Sequence, residues 1–347
     1  MSGQDDGPIL IGLDGGATKF AAYEVIVEND AEGCLALSPG FGHAEEPVPQ
    51  LGATVPFERQ LYERDAPEIT IQEIKVGRLW SIAAARAIAR AAKGHHVIRL
   101  GVCMPGLKTP DSRGISVLRN GPRMPRFADI LEDELSLHGI RLVAGIPHLI
   151  GDGEACGLGE RLACGGLFRG VENAYYVGGG TGVAEAMLLE GTVSVLDQID
   201  LLRAWEMRNS AGICYEDLIA QKHMNDRYER YAGRKLRAVD GLEKSAVAGD
   251  PMAIRVFKEA ADALADLIEV RTVSFRYLGG RPRKLQRVVL GQHTGRLFRD
   301  RRLPMFRDRL ESTLKERLKL SGKFLESHVV GSDLRAAPAI GAASTAL

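Results

Sequence analysis

At 347 residues the chain is longer than one compact core usually allows, so two domains are expected. Lys and Arg number 45, as do Asp and Glu, and this balance excludes a bulk electrostatic attraction to nucleic acid or to an anionic membrane surface. The alanine-rich stretch from Ile82 is cut by Arg86 and Arg90, and no apolar run reaches the length that crosses a bilayer. Cys34, Cys103, Cys156, Cys164 and Cys214 show no paired spacing, and an odd count without a secretory leader points to reduced thiols in a cytoplasm.

The apolar run at residues 9–13, the glycine turn that follows and the run at 20–27 predict two antiparallel strands. Residues 38–67, rich in Gly, Pro and Glu, read as surface loop. Leu79, Ile82, Ala83, Ile88 and Ala89 recur at helical spacing within 74–92, and Gly94 stops that helix. A buried strand is expected at 97–104, a helix at 127–138, a strand at 140–144 and a helix at 153–164.

From Asn173 the pattern restarts with a second strand, glycine turn and strand, followed by helices at 215–228 and 250–277, the latter opened by Asp250-Pro251. A strand at 285–292, a charged helix at 305–319 and a small-residue helix near the end complete the pattern. Both halves thus begin alike.

The two glycine turns are the main chemical signal. One reads Leu13-Asp14-Gly15-Gly16-Ala17-Thr18-Lys19 and the other Gly178-Gly179-Gly180-Thr181-Gly182. Glycine lets anionic oxygens approach backbone N–H groups where no Cβ intervenes, although plain hairpin geometry also calls for it. No Walker P-loop is present. His95 and His96 sit at a helix end, where positive charge suits the dipole.

These residues resemble the ROK family (repressors, open reading frames, kinases) within the actin-like ATPase superfamily. Asp14 to Lys19 stand where that family writes D-x-G-G-T-K, and residues 101–106 resemble its G-I-G-x-P-G strand end. Asp152-Gly153-Glu154-Ala155 with residues 157–160 resemble N-D-A-N-A…A-L-G-E; Gly180-Thr181-Gly182-Val183 match G-T-G-V, and Val289-Leu290-Gly291 match V-L-G-G. The resemblance implies an α/β, two-domain actin-like ATPase (ribonuclease H-like) fold with mixed β-sheets and an inter-domain cleft. The expected lobes are residues 1–150 with 335–347, and residues 151–334.

It further implies ATP and Mg²⁺ as cofactors and phosphoryl transfer to a hydroxyl of a sugar-like molecule. Asp152 would be the general base, its bland alternative being a helix N-cap. Asp14 would hold Mg²⁺, through water, or else hydrogen-bond its own turn. Gly15, Gly16, Thr18, Gly180, Thr181 and Gly182 would grip phosphates, Gly291 would border the adenosine, and Asn120, Glu154 and Glu216 would face the acceptor. Lys19 reads as a solvated charge.

Three departures stand out. Ala184 and Glu185 replace glycines, setting bulk and negative charge beside the second turn; Gly151 and Glu154 replace asparagines; and of the zinc loop only Ile213-Cys214-Tyr215-Glu216 survives, so no zinc is expected. Two other readings stay open: a non-catalytic sugar or nucleotide sensor, and an activator-type ATPase. A homodimer is expected by analogy alone, with no nucleic-acid or membrane partner.

Overall fold

The computed structural model describes residues 7–28, 33–40, 42–49, 55–119, 121–238, 240–278, 283–320 and 328–347. Two compact units divide the chain: Met1–Gly166 with Ala336–Leu347, and Leu167–Arg335. No helix among the described residues is long and apolar enough to cross a membrane.

In the first unit β1 (Ile9–Gly15) and β2 (Lys19–Val27) form an antiparallel hairpin, and β3 (Leu35–Leu37) and β4 (His43–Pro47) both pair with β2. After α1 (Phe57–Tyr62) and α2 (Ile71–Ala91), β5 (Val97–Cys103) lies parallel to β1. A small hairpin of β6 (Leu107–Lys108) and β7 (Ile115–Val117) precedes α3 (Phe127–Leu137). Short β8 (Arg141–Leu142) and β9 (Leu149–Ile150) extend β5 in parallel, and α4 (Asp152–Leu162) follows. The stretch expected to be loop therefore contains β4 and α1.

Strand alternation gives this sheet two different faces. Ile11, Leu13, Phe20, Leu100 and Val102 share one core with α2 and α3. Trp80 of α2 reaches it edge-on to Phe20, with ring centroids 6.1 Å apart, and its indole N–H finds Pro49 O at 3.2 Å. The other face carries glycines because a helix backbone rests on it. A Cβ at Gly12 would fall 1.8 Å from Ala339 O, and one at Gly101 would fall 1.7 Å from Ala342 O, both in the Ala337–Ser344 helix. That helix also packs on α4, where Gly341 abuts Ala155 O and Gly159 abuts Ala337 O. This close seam keeps α4 in the first unit, so the boundary falls after Gly166 rather than at 150.

Helix α2 starts at a capping box: Thr70 accepts from Glu73 N–H, while Glu73 reaches back to the Thr70 N–H. Cys34 and Cys164 form a disulfide with Cα atoms 5.0 Å apart, which corrects the expectation of reduced thiols for this pair. Beside it Leu35 bridges Ala163, and Cys164 N–H donates to Leu35 O, so the fold fastens the end of α4 to an edge strand. A separation of 130 residues hid the pair.

The second unit opens with β10 (Ala174–Gly179), β11 (Val183–Leu189) and β12 (Thr192–Ser194), then α5 (Tyr215–Ile219), α6 (Gln221–Ala232), α7 (Gly241–Val247) and α8 (Pro251–Tyr277). It continues with β13 (Arg287–Gly291), α9 (Gln292–Arg299), α10 (Pro304–Leu320) and β14 (His328–Gly331), giving the sheet order β12-β11-β10-β13-β14. Asp250 caps α8 by accepting from Met252 N–H at 2.9 Å, with Pro251 in the first turn. The single helix expected at 215–228 is two, because Ala220 is extended (φ −68°, ψ 138°). Both units share one topology, an antiparallel hairpin whose first strand pairs in parallel with a later one.

Candidate functional site

In the first unit the sheet register brings the candidate residues together. Asp14 pairs with Cys103 across β1 and β5, Cys103 pairs with Ile150 across β5 and β9, and Asp152 lies two residues beyond Ile150. Both acids therefore stand at the carboxyl ends of β1 and β9, the parallel strands on either side of β5, where open α/β sheets place their ligands. The carboxyl of Asp14 is held up at about 6, first because burial disfavours its charge and second because Asp152 is negative; Lys19 opposes these effects. The Cys103 thiol, buried beside Asp14 and Asp152, is pushed well above its usual range.

Asp152 is the first residue of α4, and the N-cap is Gly151 with extended backbone, so the simple N-cap alternative does not describe it. Its Oδ1 accepts from the Gly153 N–H at 2.9 Å. Glu154 reaches back to the Gly151 N–H, and burial raises its carboxyl while His148 and Lys108 draw it down. That contact gives Glu154 a helix-capping task. Lys108 Nζ donates to Met104 O at 2.7 Å and Gly106 O at 2.8 Å. Nothing in the sequence pattern had marked Lys108.

The first turn is tight: Gly16 N–H donates to Lys19 O at 2.9 Å, and a Cβ at Gly15 would meet Met104 Sδ at 2.0 Å. Thr18 is exposed, and its carbonyl accepts from Val48 N–H. Lys19 is paired with Glu45 at 2.5 Å. Asn120 lies outside the described residues.

Replacing Asp14 by asparagine is expected to stabilise the unliganded protein. A raised carboxyl pKa costs nothing well below the unfolded value of 3.8, where both states are protonated; its penalty grows between that value and the folded value of about 6 and levels off above it. Above about pH 7 the gain reaches up to about 3 kcal/mol, from 1.36 kcal/mol per pKa unit. Urea denaturation at several pH values checks this; an equal gain at acid and neutral pH would contradict it.

In the second unit Gly179 pairs with Val183 across the turn, and Gly180 N–H donates to Gly182 O at 2.8 Å. Gly178 pairs with Gly291 in parallel, so the candidate adenosine residue lies directly beside this turn. Thr294 of α9 joins the two: its Oγ1 accepts from Gly179 N–H at 3.2 Å and donates to Gly291 O at 2.8 Å. Gln292 follows Gly291 with φ 50°, a left-handed conformation that costs a non-glycine residue energy. Neither Thr294 nor Gln292 was visible as a site residue in the sequence, since their relevance comes from the parallel pairing alone.

Two expectations for this turn change. Glu185 does not face the turn's open side: it is buried, accepts from Tyr175 Oη at 2.7 Å and Ala204 N–H at 2.7 Å, and pairs with Arg271 at 2.8 Å. Its charge is neutralised inside the unit. Glu216 is also buried, with Oε2 accepting from Val183 N–H at 2.9 Å, so it attends to the turn's backbone. The Cys214 thiol, where a zinc loop would supply a ligand, donates to Ala204 O and Trp205 O.

No family model and no curated protein matches the chain. Solved structures do. A ROK family glucokinase from Streptomyces griseus, in complex with glucose and AMPPNP, aligns with TM-score 0.63 and 19% identity over 97% of this chain and 99% of that one. A ROK hexokinase from Thermus thermophilus aligns with TM-score 0.58 and 22% identity over 97% of each chain. A ROK family transcriptional regulator, a homolog of the E. coli Mlc protein, aligns with TM-score 0.55 and 12% identity over 98% of this chain and 78% of that one. The chain has the two-unit fold of the ROK sugar kinases, an actin-like ATPase fold.

Proposed function

We propose that the protein is an ATP-dependent phosphotransferase that moves the γ-phosphoryl group to a hydroxyl of a sugar or sugar-like molecule. The observation that carries this reading is the pair Asp14 and Asp152, at the ends of the two strands that flank β5 and with the Asp152 charge felt at the Asp14 carboxyl, in a fold whose solved examples include a glucokinase complexed with glucose and AMPPNP.

Asp152 would accept the acceptor hydroxyl's proton as that oxygen bonds to phosphorus and the bond to ADP breaks. Amides of Gly15 and Gly16 with the Thr18 hydroxyl in the first unit, and amides of Gly180 and Gly182 with Thr181 in the second, would hold phosphate oxygens. Gly291 would border the adenosine and Glu154 would lie near the acceptor. Asp14 fits a magnesium role, because its carboxylate is a hard oxygen donor whose charge burial, and then Asp152, disfavour, a penalty that a divalent cation would relieve. When bound, Mg²⁺ would neutralise charge on the phosphate oxygens.

A second reading, a sugar sensor, draws support from the regulator of the same fold. Thermal melts with AMPPNP and magnesium, with single sugars such as glucose and N-acetylmannosamine, and with both together distinguish the two. Stabilisation by the pair beyond the sum of the parts, with ADP released when ATP replaces AMPPNP, is the expected outcome. Stabilisation by sugar alone, without ADP release, would instead establish the sensor.

A further inference from the structure

We infer that Glu216 is a positioning residue for the second phosphate turn, and that it does not contact the acceptor. The inference rests on the reading of that turn as a phosphate site.

The geometry is a bracket. Glu216 Oε2 accepts from Val183 N–H at 2.9 Å at one end of the turn, and Gln221 N–H donates to Gly180 O at 2.9 Å at the other. Between them α5 passes close beneath, so that a Cβ at Gly179 would come within 3.2 Å of Ile219 O, and one at Gly182 within 2.8 Å of Glu216 Oε2. A side chain at 182 would therefore press on this carboxylate and push it off its place beside the turn. Only 6% of Glu216 is exposed, which suits a side chain spent on backbone rather than one reaching for a substrate.

The segment before the bracket holds its entry into α5 by backbone and side-chain hydrogen bonds. Tyr215 N–H donates to Met207 O at 3.2 Å, and Arg208 bridges Cys214. Asn209 Oδ1 accepts from Ala211 N–H and Ile213 N–H, both at 3.0 Å, which closes the loop that leads into α5. These hydrogen bonds order that loop. A carboxylate accepting a buried N–H is among the stronger protein hydrogen bonds, so its loss should loosen the turn.

The test uses the full chain with Glu216→Ala and Glu216→Gln. Amide exchange read by mass spectrometry in peptides covering 179–184, with no ligand present, should rise on the order of tenfold in Glu216→Ala and stay near the unsubstituted rate in Glu216→Gln, whose amide oxygen can accept the same bond. The dissociation constant for AMPPNP with magnesium should rise by a similar factor in Glu216→Ala, with glucose affinity unchanged. Unchanged exchange at the turn, or weakened sugar binding in both variants, would overturn the inference. Failure of the unsubstituted chain to bind any nucleotide would remove the kinase reading and with it the phosphate half of the inference, while the exchange result would still decide whether Glu216 holds the turn. Thermal melts of both variants separate local loosening from misfolding.

Discussion

An Asp152→Asn protein is expected to bind nucleotide as the unsubstituted chain does and to transfer phosphoryl groups about 100- to 10,000-fold more slowly. Asparagine keeps the size of the side chain and offers an oxygen to the Gly153 N–H, so α4 should start unchanged. It cannot accept the hydroxyl proton. The same change has an effect that a structural role for Asp152 alone would not predict through geometry. Asp152 is the second cause of the raised Asp14 carboxyl, so removing its charge should move the Asp14 titration below about 6. Turnover assays, nucleotide titrations and a pH series of stability together check both effects; full turnover in Asp152→Asn would remove the base assignment.

The second large effect belongs to Glu185. Its carboxylate and the Arg271 guanidinium are almost wholly buried, Arg271 also donating to Leu202 O at 2.6 Å. Truncation to Glu185→Ala leaves a buried cation without its carboxylate, with the neutral Leu202 carbonyl and Tyr175 hydroxyl beside it, and removes the acceptor of the Tyr175 hydroxyl and Ala204 N–H. The expected cost is about 3 to 5 kcal/mol, the usual result of breaking a buried pair from one side. Arg271→Met together with Glu185→Ala should recover part of that loss, because no unpaired charge then remains. Urea denaturation of the single and double variants measures it, and a cost under about 1 kcal/mol for Glu185→Ala would show that the pair is not load-sharing in this way.

These two acids also mark where the sequence was readable. The place of Asp152 in the fold was legible because its neighbours carry the pattern: a strand before it, glycines around it and a helix after it. Glu185 was misread because β11 is buried on both faces, so alternation does not tell which way a side chain points. Its partner lies 86 residues away on α8, and no local pattern links them. Helices with clear chemistry at their starts, such as α8 with Asp250 and Pro251, were visible for the same reason that they form.

Other features escaped for physical reasons. The break at Ala220 is made by tertiary demand, since the turn takes the Gln221 N–H there, and helical periodicity runs straight through it. The Cys34 to Cys164 bond depends on a chain reversal that spacing does not encode. Glu216 was assigned to the acceptor by the family resemblance, and its acceptance of the Val183 N–H was hidden because only the approach of α5 to the turn creates it.

The Ala337–Ser344 helix has a consequence for how the protein is made. The first sheet is contacted at Gly12 and Gly101 by a helix backbone that follows the whole of the second unit in sequence. At about 5 to 20 residues per second, a ribosome needs on the order of ten to thirty seconds to synthesise Leu167–Arg335. Throughout that interval this side of the first sheet lacks the helix that packs on it and is open to chaperones and to aggregation until residues 337–344 emerge.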